Sequence, residues 1–127
     1  MPHIIVEYTD NLTGETNISQ LLKSLNEVLI ARNSDFPIGG IRSRAIELQD
    51  YCVADCTEDD AFVHVTFKIG AGRSKEVKEE TCQSLFDVVT EHFSGIFNKR
   101  SLALSLELYE FSEAGTYKKN NIHKRYQ

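Results

Sequence analysis

A chain of 127 residues, 41% hydrophobic and 26% charged, can build one hydrophobic core and has little room for a second. Its 14 basic and 19 acidic residues give a formal net charge of -5, so the molecule as a whole does not attract nucleic acid or an anionic membrane. The opening MPHIIVEYTD has no basic n-region, and no apolar run approaches the roughly 18 residues of a spanning helix, which argues against a signal peptide or membrane anchor.

Pro2 follows Met1 directly, and a small second residue favours removal of the initiator methionine, leaving a secondary amine at the head of a strand. Taken alone, Pro2 also reads as a residue tolerated at the first position of a strand. HIIVEY at 3–8 is a β-rich run, and the polar stretch after it, with Asp10, Asn11 and Gly14, supplies turn chemistry. Ile18, Leu21, Leu22, Leu25, Val28 and Leu29 then recur at helical spacing behind a capping Asn17, predicting an amphipathic helix of about four turns.

Phe36-Pro37-Ile38-Gly39-Gly40 stops that helix and leads into the alternating first half of IRSRAIELQDYCVAD. Arg42 and Arg44 are two apart on this strand and point the same way. A carboxylate held between them would fit the forked geometry of guanidinium, and a structural ion pair with Glu47 or Asp50 is an equal alternative. Cys52, Cys56 and Cys82 are odd in number and follow no disulfide framework, which reads as reduced thiols in a cytoplasmic protein. Cys52 and Cys56 are expected on one face of a strand, too far apart to act together, and no CxxC or HExxH spacing marks a metal site.

AFVHVTFKIG at 61–70 is the third strand, with Val63, Val65, Phe67 and Ile69 on one face and His64, Thr66 and Lys68 on the other. Gly70-Ala71-Gly72-Arg73 is a loop running into a helix capped by Ser74, where free N–H groups and Arg73 favour an anion, although the phosphate-loop ending is missing. The helix is expected to continue through Phe97, with Cys82, Leu85, Phe86, Val89, Phe93, Ile96 and Phe97 on its apolar face. LALSLELYEF closes the series as a strand alternating between leucines and Ser105, Glu107 and Tyr109.

The chain therefore reads as an α/β (α+β) fold of two tandem β-α-β units, 2–55 and 61–111, followed by a tail at 112–127 within one domain. Right-handed crossovers related by a pseudo-twofold axis place both helices on the same face of a four-stranded mixed sheet. The opposite face, with His64, Thr66, Ser105 and Glu107, is too mixed for a core, and its burial against other subunits predicts an oligomer. Lys118, Lys119, Lys124 and Arg125 make the tail cationic, which reads as a solvated terminus.

MPHIIVEY with its second-position proline, GIRSR at 40–44, AFVHVTFKIGAGRS at 61–74 and NNIH at 120–123 together resemble the 5-carboxymethyl-2-hydroxymuconate delta-isomerases of the tautomerase superfamily. The resemblance spans essentially the whole chain, and the GIRSR and KIGAGRS strings are specific. It implies a cofactor-free and metal-free isomerase of aromatic-compound (homoprotocatechuate) degradation, a homotrimer with its site near a subunit boundary, and a small polycarboxylate substrate. By the same resemblance Pro2 is the catalytic acid/base, Arg73 joins it in catalysis, and Arg42 and Arg44 bind substrate. Ala61 opens the second unit where Pro2 opens the first, so one catalytic amine per chain is expected. A tautomerase acting on another small keto or enol acid, or a cytokine-like binding trimer, are the other functions the superfamily offers.

Overall fold

The computed structural model describes residues 1–127. β1 (His3–Thr9), α1 (Ile18–Ile30) and β2 (Arg42–Leu48) form the first unit, and β3 (Ala61–Gly70), α2 (Lys75–His92), α3 (Ser94–Phe97) and β4 (Leu102–Phe111) the second. The sheet order is β2-β1-β3-β4. β1 runs parallel to β2 and β3 parallel to β4, while β1 and β3 meet antiparallel at the centre. Four strands of this kind are the mixed sheet expected from two β-α-β units.

Both helices start where the sequence places their caps, with the Asn17 side chain accepting from Gln20 N–H and Ser74 from Val77 N–H. Leu21, Leu25 and Leu29 of α1 and Leu85 and Val89 of α2 share one buried cluster with Ile4, Val6, Val63, Val65 and Phe67 of the sheet. A single cluster requires both helices on one side. The register places His3, Ile5 and Glu7 opposite Lys68, Thr66 and His64, so these residues share the other side, which no element of the chain covers.

Three expectations are corrected. The second helix does not continue through Phe97: α2 ends at His92, Phe93 leaves helical geometry at φ −97°, ψ 9°, and a separate turn follows. Ser94 donates to the Glu91 carbonyl and Gly95 follows, both of which weaken a continuous helix, and Phe97 lies 55% exposed. Cys52 and Cys56 are not on a strand, because β2 ends at Leu48. Positive φ at Ala54 (53°) and Cys56 (65°) folds the segment back on itself, so the two Cα atoms lie 5.2 Å apart with their sulfurs facing each other. The two are therefore close neighbours in a tight turn rather than far apart along a strand, and Cys82 stands away from them on α2.

Candidate active site

Because β3 is antiparallel to β1, the loop after β3 returns to the start of β1, and the turn before β2 arrives at the same place. Pro2, Arg42 and Arg73 thus converge from three separate parts of the sequence. Pro2 is buried, and its carbonyl accepts from Arg42 N–H at 3.1 Å. Met1 lies in front of it, making the Pro2 nitrogen an amide in this form of the chain. The Met1 sulfur faces Arg42 Nη1 at 2.9 Å and Asn120 Nδ2 at 3.8 Å.

Arg42 also donates to Gly40 O at 3.0 Å. Arg73 is held by backbone carbonyls alone, donating to Asp35 O through Nε at 3.3 Å and Nη2 at 3.0 Å, and to Gly70 O at 3.2 Å, with its guanidinium 4.6 Å from the centre of the Phe36 ring. Neither arginine meets a carboxylate. Their charge is oriented without being neutralised, which is the arrangement a bound carboxylate completes. Of the two carboxylates proposed from sequence as structural partners, Glu47 accepts instead from the Thr13 hydroxyl, and neither it nor Asp50 pairs with Arg42 or Arg44.

Arg44 points elsewhere. Its Nη1 lies 3.1 Å from His3 Nδ1, and burial first, then the charge of this exposed arginine, holds the His3 ring below the ordinary histidine value. The α-amino group in front of Pro2 is likewise held below the usual amino-terminal value. Burial contributes most, then the positive charge of Lys118, then Arg73 and Arg42, against an opposing pull from Glu113.

Glu113, Lys118, Asn120 and His123 were not identified from composition or spacing as site residues. The tail folds back over the site: Glu113 rests on Gly70, Asn120 donates to Gly39 O at 2.8 Å, and His123 lies against Gly39. The signal available in the sequence was NNIH at 120–123, which carries no chemistry by itself. The largest cavity, about 710 Å³, is at the opposite end of β1, lined by Glu15, His92, Lys99 and Arg100 among others. There Arg100 is already paired with Glu15 at 3.1 Å and Asp59 at 3.3 Å, so its charge is not available in the way that of Arg42 and Arg73 is. No three His, Cys, Asp or Glu side chains converge as metal ligands.

The chain is 41% identical over 123 residues, 97% of each protein, to 5-carboxymethyl-2-hydroxymuconate Delta-isomerase of Escherichia coli. A crystal structure of a 5-carboxymethyl-2-hydroxymuconate isomerase from Deinococcus radiodurans superposes with a TM-score of 0.96 at 57% identity, covering 99% of this chain and 94% of that one. A fused 4-OT symmetric trimer shares the fold at a TM-score of 0.64 and 21% identity, covering 91% of this chain and 90% of that one. Residues 2–126 match the family described as 5-carboxymethyl-2-hydroxymuconate isomerase, and the chain is a member of that family of isomerases.

Proposed function

We propose that the chain, once Met1 is removed, isomerises 5-carboxymethyl-2-hydroxymuconate with the Pro2 secondary amine as its acid/base. The observation that carries this reading is that two arginines without a carboxylate of their own stand at the amino-terminal end of β1, where the charge of both acts on the amino group in front of Pro2. In its neutral form the amine takes the proton of the 2-hydroxyl group, and the electron pair passes along the conjugated double bonds. The same proton is returned to the carbon at the far end of the dienolate, so nothing is consumed and no redox partner is needed.

Arg42 and Arg73 hold substrate carboxylates and stabilise the negative charge that spreads through the dienolate. The Met1 sulfur sits as an acceptor before Arg42 Nη1, where a carboxylate oxygen of the substrate would lie. Arg44, turned toward His3, is assigned a supporting role at the edge of the site. Met1 removal places a free amine on Pro2, deeper than the present amino terminus, where burial and the same cations favour its neutral form.

The uncovered sheet face supports assembly as a homotrimer, the state of the fused 4-OT relative. A cytokine-like binding trimer would give Arg42 and Arg73 no work to do. Loss of the dienol absorbance in metal-free buffer tests the reading: added protein should accelerate it far beyond the spontaneous rate. An unchanged rate would overturn the assignment.

A further inference from the structure

Residues 113–123 form a strap between the two loops that hold the arginines. At one end Glu113 rests on Gly70, whose carbonyl anchors Arg73. At the other, Asn120 bonds the carbonyl of Gly39, next to the Gly40 carbonyl that anchors Arg42, and His123 packs on Gly39. Lys118 lies between these ends. Its Nζ is 3.7 Å from Glu113 Oε2, and its side chain is 45% exposed.

We propose that Lys118 is the third cation of the site and that it gives the enzyme a preference for acids with three carboxylates over those with two. The proposal rests on the reaction assigned above. A carboxymethyl arm on a muconate skeleton makes three carboxylates, and Arg42 and Arg73 account for two. Of the other cations near the amino terminus, Arg44 is turned to His3 and Lys68 lies over the Tyr109 and Phe111 rings, which leaves Lys118, on the strap between the two arginine loops, to meet the third; its charge also acts on the amino group there.

The Lys118 to Glu113 pair is long and partly exposed, so little is lost when a substrate carboxylate replaces it. A merely solvated tail would treat its lysines alike. Lys119, the next residue, is exposed and forms no ion pair or hydrogen bond, which makes it the natural control.

The test compares 5-carboxymethyl-2-hydroxymuconate with 2-hydroxymuconate, which lacks the carboxymethyl arm, in the processed wild type and in Lys118→Gln, Lys118→Arg and Lys119→Gln. Lys118→Gln should lower kcat/KM for the three-carboxylate acid by roughly tenfold, mainly through KM, and leave the two-carboxylate acid within about twofold. Lys118→Arg and Lys119→Gln should keep the wild-type preference. Equal losses on both acids, or an equal loss in Lys119→Gln, would overturn the role of Lys118 and leave the assigned reaction standing. A wild type that turns over neither acid would remove the reaction itself and this proposal with it.

Discussion

An arginine with no carboxylate beside it has had some of its hydration removed without its charge being neutralised, and a protein keeps such a residue at a cost. Arg32 and Arg100 show the ordinary alternative, pairing with Glu80 and with Glu15 and Asp59. Arg42 and Arg73 differ from them in being fixed by backbone carbonyls, which aim the guanidinium while leaving its charge for a ligand. Replacing Arg73 by Ala should therefore raise the activation barrier by roughly 2 to 4 kcal/mol, as lost oxyanion donors do. Because its structural contacts are charge-assisted hydrogen bonds to two backbone carbonyls and a stack on Phe36, the same change should also destabilise the fold, by about 1 to 3 kcal/mol. Steady-state kinetics and a thermal melt on one preparation check both figures, and a large loss of stability with unchanged kcat/KM would make Arg73 a structural residue.

The strands and helices follow from periodicity because each has a buried face of its own. Ile4 and Val6, Val63 to Ile69, and Leu21, Leu25 and Leu29 all mark core contacts that the sequence spacing already displays. The strap over the site has no such period, since it is held by single contacts to two glycines and a backbone carbonyl. Its lysines therefore read as a solvated tail, and its position is visible only after folding. The cysteine pair was hidden for a related reason: two left-handed residues, Ala54 and Cys56, reverse the chain where an extended reading carried it onward. Pro2, Arg42 and Arg73 are nominated as site residues through the family resemblance alone, and nothing in their spacing says that the segments carrying them lie at one end of the sheet.

Gly39 tests the strap as an element. A Cβ there would lie 2.7 Å from the His123 ring and 2.8 Å from its backbone, and backbone cannot step aside as a flexible side chain can. Gly39→Ala should lift the strap and cost about 1 to 3 kcal/mol of stability, with kcat/KM falling as the wall of the site loosens. Hydrogen exchange over 113–123 would report the release; unchanged exchange with native activity would mean that the strap does not depend on this contact.

At the scale of the molecule, the sheet has one face under two helices and another without cover. On the open face His64 Nδ1 lies 2.7 Å from Ser105 Oγ, while Ile46 and Tyr109 are 45% and 54% exposed. Such a mixture of ordered polar contacts and open apolar surface is typical of a face that meets other protein. Light scattering at micromolar concentration should give three times the subunit mass of 14.4 kDa. A mass of one subunit would contradict burial of this face and any site shared between chains.

The amine at Pro2 is the centre of the account, and one measurement addresses it directly: the pH profile of kcat/KM, on protein whose amino terminus has been read by mass spectrometry. Active protein should lack Met1. Burial and the cations around the site hold the Met1 amino group below its usual value, and in the proposed mechanism the same surroundings act on the Pro2 amine, whose neutral form serves as the base. Efficiency should therefore rise with pH through an apparent pKa below about 7.7, the value of an ordinary amino terminus, and reach a plateau above it. Full activity, with no such inflection, in a chain shown to retain Met1 would contradict the mechanism, because the Pro2 nitrogen would then be an amide with no proton to exchange.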